Sequence, residues 1–130
     1  MKLSSKGRHA VRIMAELAKS DGFVAVSELS KKQGISVKYT EKIISILLKG
    51  NLIMSVRGAS GGYRLLRKPE EYSIREILSV TDDLPKLAPC LESGATCERM
   101  KVCAGITCWE KLDSLITNYL NEVKLSDILS

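Results

Sequence analysis

At 130 residues, 45 % of them hydrophobic, the chain is long enough to bury one core without a disulfide or a metal as a staple. It contains no run of about 18 apolar residues, as a membrane-spanning helix would need, and its charged first residues lack the apolar stretch of a signal peptide. We therefore expect a soluble, cytoplasmic protein with no membrane partner.

The formal net charge of +5 is divided unevenly along the chain. Residues 1–70 hold 14 Lys or Arg against 5 Asp or Glu, whereas residues 71–130 hold 6 against 10. A regional excess of basic side chains attracts phosphate groups, although a solvated surface with uneven charge has the same composition. The pattern indicates a polyanion-binding half joined to an acidic half with a different role.

The basic half has the pattern of three helices. Apolar residues recur at helical spacing behind a serine cap, which predicts a first helix over 5–20. A short helix over 27–33, a break at Gly34 and a longer helix over 37–49, capped by Ser36, follow. Two helices joined by a glycine turn are typical of a helix-turn-helix.

The second helix of this pair is predicted to be amphipathic. Its inward stripe is predicted to contain Tyr39, Ile43, Ile46 and Leu47. Its outward face is predicted to contain Lys38, Glu41, Lys42 and Ser45.

A β-hairpin is predicted next. Strand-like runs over 52–56 and 63–66 flank residues 57–62, whose three glycines permit the backbone angles of a loop. A helix-turn-helix followed by such a hairpin is a winged helix, in which a helix enters the major groove and the wing reaches the minor groove. We therefore expect a mainly α fold with a small β-hairpin, and a DNA-binding domain over residues 1–81.

Residues 82–130 are predicted to form a cysteine-rich loop and a long C-terminal dimerisation helix. A capping box at 73–76 opens a short helix that ends near Thr81, and a second box from Thr107 to Glu110 opens a helix that continues to about residue 121. The apolar stripe of this long helix can face its own core or a twin helix in another subunit, and periodicity does not separate the two.

All four cysteines lie within nineteen positions, at Cys90, Cys97, Cys103 and Cys108. In a reducing compartment, clustered thiols more often bind a metal or perform redox chemistry than form structural disulfides. The spacing lacks the C-x2-C pairs of most structural zinc sites, and small residues between the thiols suit the close wrapping of backbone around an iron–sulfur cluster. Zinc and metal-free thiols stay open as alternatives.

Cys108 has two interpretations. If Thr107 caps the long helix, Cys108 occupies the first helical position, where the helix dipole favours a thiolate ligand. Its spacing to Leu112 and Leu115 equally suits a small apolar group in the core.

Several segments together carry a family resemblance: MKLSSKGRHAVRIMAELA, KKQGISVKYTEKI, SVRGASGGYRL, three cysteines followed by Trp109, and KLSDILS. Through them nearly the whole chain resembles the Rrf2 family of bacterial transcription regulators, and most closely its iron–sulfur cluster regulator branch. The resemblance implies a homodimer joined by its long C-terminal helices, with two winged helices on a pseudo-palindromic operator in double-stranded DNA.

The resemblance also implies three ligands for an iron–sulfur cluster: Cys90, Cys97 and Cys103. The sequence departs from the family at the fourth ligand. Ile106 stands where the cluster-synthesis regulators have a histidine, and Arg8 stands where the nitric-oxide-sensing relatives have a carboxylate. Cys108 is the preferred replacement and His9 the second choice, and a 2Fe-2S cluster is favoured over a 4Fe-4S cluster.

On the DNA side, the resemblance points to Lys38, Tyr39, Thr40 and Glu41 in the recognition helix and to Arg57 in the wing. Lys38 is expected to contact phosphate or guanine, and Thr40 and Glu41 to touch base edges. Arg57 suits a narrow minor groove. Because Tyr39 lies on the predicted inward stripe, a core aromatic is the alternative for it.

The sequence thus predicts a dimeric, cluster-sensing transcription regulator, in which a change at the cluster reshapes residues 82–105 and resets the separation of the recognition helices. One alternative is a cluster-free regulator of the same fold that senses oxidants or cysteine status through its thiols. Another is an electron-transfer protein or cluster carrier. An enzyme is not expected, because the only histidine is far in sequence from the cysteines and no acid–base pair is evident.

Overall fold

The computed structural model describes residues 3–59, 61–82, 84, 87–88, 91, 99 and 101–129. The helices and strands of this part of the chain are α1 (Ser5–Lys19), α2 (Val26–Gln33), α3 (Val37–Lys49), β1 (Ile53–Val56), β2 (Gly62–Leu65), α4 (Ile74–Val80) and α5 (Ile106–Glu122). Short 3-10 turns at Pro69–Glu71 and Leu125–Ile128 precede α4 and follow α5. None of the described helices combines the length and the apolar character needed to cross a membrane.

Local capping contacts determine where the first three helices begin and end. The Ser4 hydroxyl accepts a hydrogen bond from the backbone N–H of Gly7 at 3.1 Å and starts α1. The Ser36 hydroxyl accepts from Tyr39 N–H at 3.1 Å and starts α3. Gly34 ends α2 with a φ of 65°, a left-handed conformation that favours glycine. The predicted helix-turn-helix is therefore confirmed, with bounds within about a residue of those expected.

The hairpin is antiparallel, and its second strand also pairs with the segment between α1 and α2. Ile53 pairs with Leu65 at its base and Val56 with Gly62 at its tip. Val24, between α1 and α2, exchanges two backbone hydrogen bonds with Tyr63 at 2.8 and 2.9 Å. A side chain at Gly62 would place its Cβ 2.5 Å from the Val24 carbonyl oxygen, so this close approach requires glycine.

One hydrophobic core joins α1, α3, α4, the base of β1 and the C-terminal turn. Its members come from both halves of the chain, so residues 1–81 and the end of residues 82–130 share it. The buried apolar side chains are Ala10, Ile13, Met14, Leu17, Val24, Leu29, Ile43, Ile44, Leu47, Leu52, Ile53, Tyr72, Ile74, Ile77, Leu78 and Leu125.

The C-terminal half returns to this core behind α5. The backbone N–H of Ile74 donates to the Val123 carbonyl at 3.0 Å, and Leu125 N–H donates to the Tyr72 carbonyl at 2.9 Å. Leu125 is fully buried, whereas no residue of α5 itself is buried within the chain. The helix is therefore anchored at its C-terminal end and packs on α4 along only part of its surface.

Two local predictions were wrong. The N-cap of α5 is Gly105, not Thr107, and Cys108 therefore occupies the third helical position rather than the first. In α3 the buried residues are Thr40, Ile43, Ile44 and Leu47, so the inward stripe is rotated away from Tyr39 and Ile46, which are only half-buried. Thr40 thus turns inward. Its hydroxyl donates to the Ser36 carbonyl at 2.8 Å, so the buried side chain has a hydrogen-bond partner.

Tyr72 connects the hairpin to the second half of the chain. Its buried hydroxyl donates to the Leu52 carbonyl at 2.7 Å and accepts from the backbone N–H groups of Leu66 and Arg67 at 3.1 and 3.0 Å. These hydrogen bonds hold the start of β1 and the end of β2 against the segment that enters α4. The hydroxyl thus joins three backbone groups at the base of the hairpin, where Leu66 N–H also donates to the Leu52 carbonyl at 3.4 Å.

We expect Tyr72→Phe to lower the free energy of unfolding by about 1–3 kcal/mol, because it removes the acceptor of Arg67 N–H and leaves the Leu52 carbonyl only the longer hydrogen bond from Leu66 N–H at 3.4 Å. Urea titration at fixed protein concentration measures this change. Tyr63→Phe is the matched control, since the Tyr63 hydroxyl forms no hydrogen bond with another described residue, and should change the same quantity by less than about 0.5 kcal/mol. Equal stability of the two variants would contradict the assigned role of the Tyr72 hydroxyl.

Candidate nucleic-acid interface and cysteine segment

The outward face of α3 is polar and open to solvent. Lys38, Glu41, Lys42 and Ser45 are all exposed, as the amphipathic pattern predicts. None of the four forms an ion pair within the part of the chain that the structure describes. The first turns of α3 therefore present free charged side chains beside the Ser36 cap, which is the arrangement in which a recognition helix meets a DNA groove.

Thr40 does not belong to this open surface. Its side chain is fully buried and its hydroxyl is committed to the Ser36 carbonyl. Thr40 was predicted to touch base edges, but with this geometry we do not include it among the proposed DNA contacts. Lys42, which was not among the predicted contacts, lines the same surface as Lys38 and Glu41. The sequence could have indicated this, because Lys42 lies one helical turn after Lys38 and therefore on the same side of α3.

Tyr39 lies between the surface and the core. It is half-buried and packs against the edge of the core, and it also lines the open surface with Lys38 and Lys42. The His9 ring of α1 meets the Tyr39 ring edge to face, with ring centroids 5.5 Å apart and an interplanar angle of 90°. Both interpretations of Tyr39 from the sequence therefore describe part of its environment.

The arginines of the hairpin region differ in availability. Arg67 donates to Glu76 Oε2 at 2.9 Å and lies over the Tyr72 ring, and its hydrogen bond to Glu76 raises the pKa of the guanidinium above its ordinary value. Arg64 lies over the Phe23 ring, 5.2 Å from its centroid. Arg57, at the start of the wing loop, is exposed and has no hydrogen bond or ion pair to another described residue.

Two of the four cysteines can be described. Cys103 is half-buried and Cys108 is exposed, and both are free thiols. Cys90 and Cys97 lie outside the described residues, and the described part of the chain contains no group of three or more potential metal-binding side chains. Of the four predicted ligands the structure therefore describes two, and Cys108 is not part of the core of a single chain.

The two described thiols flank the start of α5. The helix begins without a side-chain cap, and its first turn carries no acidic residue, so its positive end is not neutralised locally. Trp109 packs against Gly105, since a Cβ at that glycine would lie 2.6 Å from the indole Nε1. The indole thus covers the backbone between Cys103 and Cys108.

One face of α5 is apolar and exposed. Leu115 is 57 % exposed and Tyr119 is 64 % exposed, and Leu112 lies on the same side at helical spacing. Cys108, four residues before Leu112, is on this side too. By contrast, Leu120 is half-buried against the chain's own core. The long helix therefore has one side on its own subunit and an apolar side that is uncovered in the single chain.

Comparisons with known proteins agree with these features. A family profile described as Rrf2, iron-dependent transcriptional regulator, matches residues 3–130. The HTH-type transcriptional regulator IscR of Aliivibrio salmonicida is 37 % identical over 131 residues, which cover 99 % of this chain and 77 % of that protein.

Two solved structures are also similar. T. potens IscR has a TM-score of 0.76 and 32 % identity, with 98 % of this chain and 85 % of the other covered. CymR (YrzC), the global cysteine regulator of B. subtilis, has a TM-score of 0.81 and 28 % identity, with 98 % and 95 % covered.

The relatives are named as regulators rather than as enzymes or electron carriers, and they share the mainly α, winged-helix fold. The fold class and the non-enzymatic role predicted from the sequence are therefore confirmed. The chain belongs to the Rrf2 family of transcriptional regulators.

Proposed function

We propose that this regulator acts as a homodimer that reads a pseudo-palindromic operator and responds to an iron–sulfur cluster bound by its cysteine segment. In this proposal residues 1–81 bind DNA, and residues 82–130 carry the sensor and the dimer helix. The observation that carries the DNA-binding part is the open, uncompensated polar surface at the start of α3.

The proposed DNA contacts are those side chains that are both exposed and unpaired. Lys38 at the start of α3 contacts phosphate or guanine, and Glu41 accepts a hydrogen bond from a base edge. Tyr39 presents its half-buried ring beside them. Arg57 in the wing enters the minor groove, where a narrow groove attracts guanidinium groups.

We expect Arg57→Ala to weaken operator binding by about 1–3 kcal/mol, because it removes an exposed cation without disturbing any described contact. Fluorescence anisotropy at several fixed salt concentrations measures the affinity, and urea titration checks that folding is retained. Arg75→Ala removes an exposed arginine of α4 and is the matched control. Unchanged affinity in Arg57→Ala would count against the wing contact.

The apolar face of α5 supports the homodimer. A soluble chain rarely leaves large apolar side chains in line along one helix, and a twin helix related by two-fold symmetry would cover them on both copies at once. The half-buried side of the same helix, with Leu120, keeps it attached to its own subunit. The proposed interface is therefore Leu112, Leu115 and Tyr119 of each copy.

We expect Leu115→Glu to raise the dimer dissociation constant by about tenfold or more, because each dimer would bury two unpaired carboxylates in an apolar contact. Sedimentation velocity over a range of protein concentrations measures the change. Ser114→Glu adds the same charge to the neighbouring exposed position, outside the apolar face, and should leave the dimer intact. Equal dissociation of both variants would argue against this face as the interface.

The described part of the cysteine segment fits an iron–sulfur cluster in its chemistry. Free thiols are the usual ligands of such clusters, and both described cysteines are free and unhindered by a disulfide. Cys108 lies in the first turn of α5, close to the positive end of the helix. In the proposal Cys90, Cys97, Cys103 and Cys108 hold the cluster, His9 is the alternative fourth ligand, and a 2Fe-2S cluster is favoured over a 4Fe-4S cluster. A bound cluster would make this segment sensitive to redox state, oxygen and iron supply.

A structural change at the cysteine segment can be transmitted to the DNA-binding half through α5. Cys103 and Cys108 flank one end of α5, and the other end is hydrogen-bonded through Val123 to Ile74 at the start of α4. Because the described hydrogen bonds hold α5 at its C-terminal end, a change at the thiols would tilt the helix about that anchor. In a dimer joined through α5, such a tilt alters the separation of the two α3 helices.

The second candidate is a thiol-based regulator without a cluster. It is supported by the similarity to the global cysteine regulator CymR and by the exposure of Cys108, which leaves this thiol accessible to oxidants. The two candidates share the DNA-binding surface and the dimer helix. They differ only in what the cysteines hold.

One experiment separates the candidates: an absorption spectrum with iron, sulfide and zinc analysis of protein purified without oxygen. We expect visible charge-transfer bands with matching iron and sulfide, lost in Cys108→Ala and retained in Thr107→Ala, which alters the adjacent exposed residue. Bands that survive in Cys108→Ala would move the fourth ligand elsewhere, with His9 next. A colourless protein without iron after anaerobic reconstitution would favour the thiol sensor, or a zinc site if zinc is present.

A further inference from the structure

His9 of α1 contacts the DNA-facing helix although it is not itself part of the DNA-facing surface. Its ring meets the Tyr39 ring edge to face, with a centroid distance of 5.5 Å. His9 is half-buried, and its Nδ1 atom is buried without a hydrogen-bond partner among the described residues. A buried nitrogen without a partner is unfavourable by itself. The favourable contribution of His9 is therefore the contact between its ring and the Tyr39 ring.

The same face of α1 supports the turn that precedes α3. Arg12, one helical turn after His9, donates from Nη2 to the Gln33 carbonyl at 3.4 Å. Gln33 and Tyr39 lie on opposite sides of the turn that contains Gly34 and the Ser36 cap. Two side chains of α1 therefore contact the helix-turn-helix before and after its turn. The His9 contact is the one that reaches a proposed DNA-binding side chain.

An aromatic side chain in a helix has two main χ1 rotamers, and they direct the ring to different places. The His9 ring occupies the space on one side of the Tyr39 ring and limits where that ring can lie. Tyr39 lines the open surface together with Lys38 and Lys42 in the resulting orientation. A ring that is held before DNA arrives loses less conformational freedom on binding, which favours the sequence that the ring fits.

We propose that His9 is a positioning residue for sequence recognition: its ring holds Tyr39 in the orientation that is presented to DNA. The inference rests on the proposed function of α3 as the DNA-reading helix. Non-specific affinity comes mainly from phosphate contacts of lysine and arginine side chains, whereas the His9 contact is with the Tyr39 ring. Loss of the His9 ring therefore reduces discrimination between operator and unrelated DNA more than it reduces DNA binding in general.

The test uses full-length protein purified without oxygen and two duplexes of equal length at one salt concentration. One duplex carries the sequence that the wild-type protein selects from a random pool, and the other carries the same bases scrambled. We expect His9→Ala to lower the ratio of the two affinities by roughly threefold to tenfold, the range for loss of an aromatic pair. His9→Phe keeps a ring against Tyr39 and should hold the ratio within about twofold of wild type.

Val11→Ala is the matched control for lost packing in the same helix, since Val11 is half-buried against the core. It should lower the free energy of unfolding without altering the affinity ratio. In a Tyr39→Ala background, His9→Ala should produce no further fall in the ratio, because its effect acts through the Tyr39 ring.

Three results would overturn the inference. The first is a parallel fall in both affinities, or a fall in the ratio no greater than that of Val11→Ala. The second is an additive effect of His9→Ala in the Tyr39→Ala background. The third is loss of iron and visible absorbance in His9→Phe, which would make His9 a ligand. Failure of the proposed function is distinct, because wild-type protein would then show no salt-dependent preference for any duplex.

Discussion

The buried phenol of Tyr72 is the contact on which most of the described structure depends. Its hydroxyl pairs backbone groups of Leu52, Leu66 and Arg67, and so holds the hairpin to the segment that enters α4. The backbone carbonyl of the same residue accepts from Leu125, which ties the end of the chain to the same place. The wing, the fourth helix and the C-terminal turn therefore share one buried side chain as an anchor, and a shift of any of them there would break hydrogen bonds.

The hydrogen bonds described for Tyr72 do not include residues of the long helix α5. Among the described residues, hydrogen bonds of Val123 and Leu125 fix its far end, while Cys103 and Cys108 lie at its near end. Its two sides also differ, since Leu120 packs on its own subunit and the opposite apolar side is open. A helix that is attached at one end and along one side is suited to respond to a change at its free end, because little packing opposes a tilt.

The surface that we propose to face DNA is supported by residues that are not among the proposed DNA contacts. Ser36 caps α3, Thr40 turns inward onto the Ser36 carbonyl, and the ring of His9 lies against Tyr39. These contacts order the first turn of the helix before any ligand is present. A surface ordered in this way can discriminate between sequences through geometry, whereas the exposed lysines beside it attract phosphate on any sequence.

The amino-acid sequence by itself determined the order of the helices and strands, because caps, glycine turns and apolar periodicity act over three or four neighbouring residues. Ser36, Gly34 and the three glycines of residues 57–62 are signals of this local kind, and so are the lysines of α3. The tertiary structure decided the rotation of α3, which buries Thr40 and leaves Tyr39 at the edge, and it decided that the end of the chain returns to bury Leu125. It also placed His9 against Tyr39. These features depend on contacts between residues distant in the chain. A local sequence pattern does not contain the free energy of such packing.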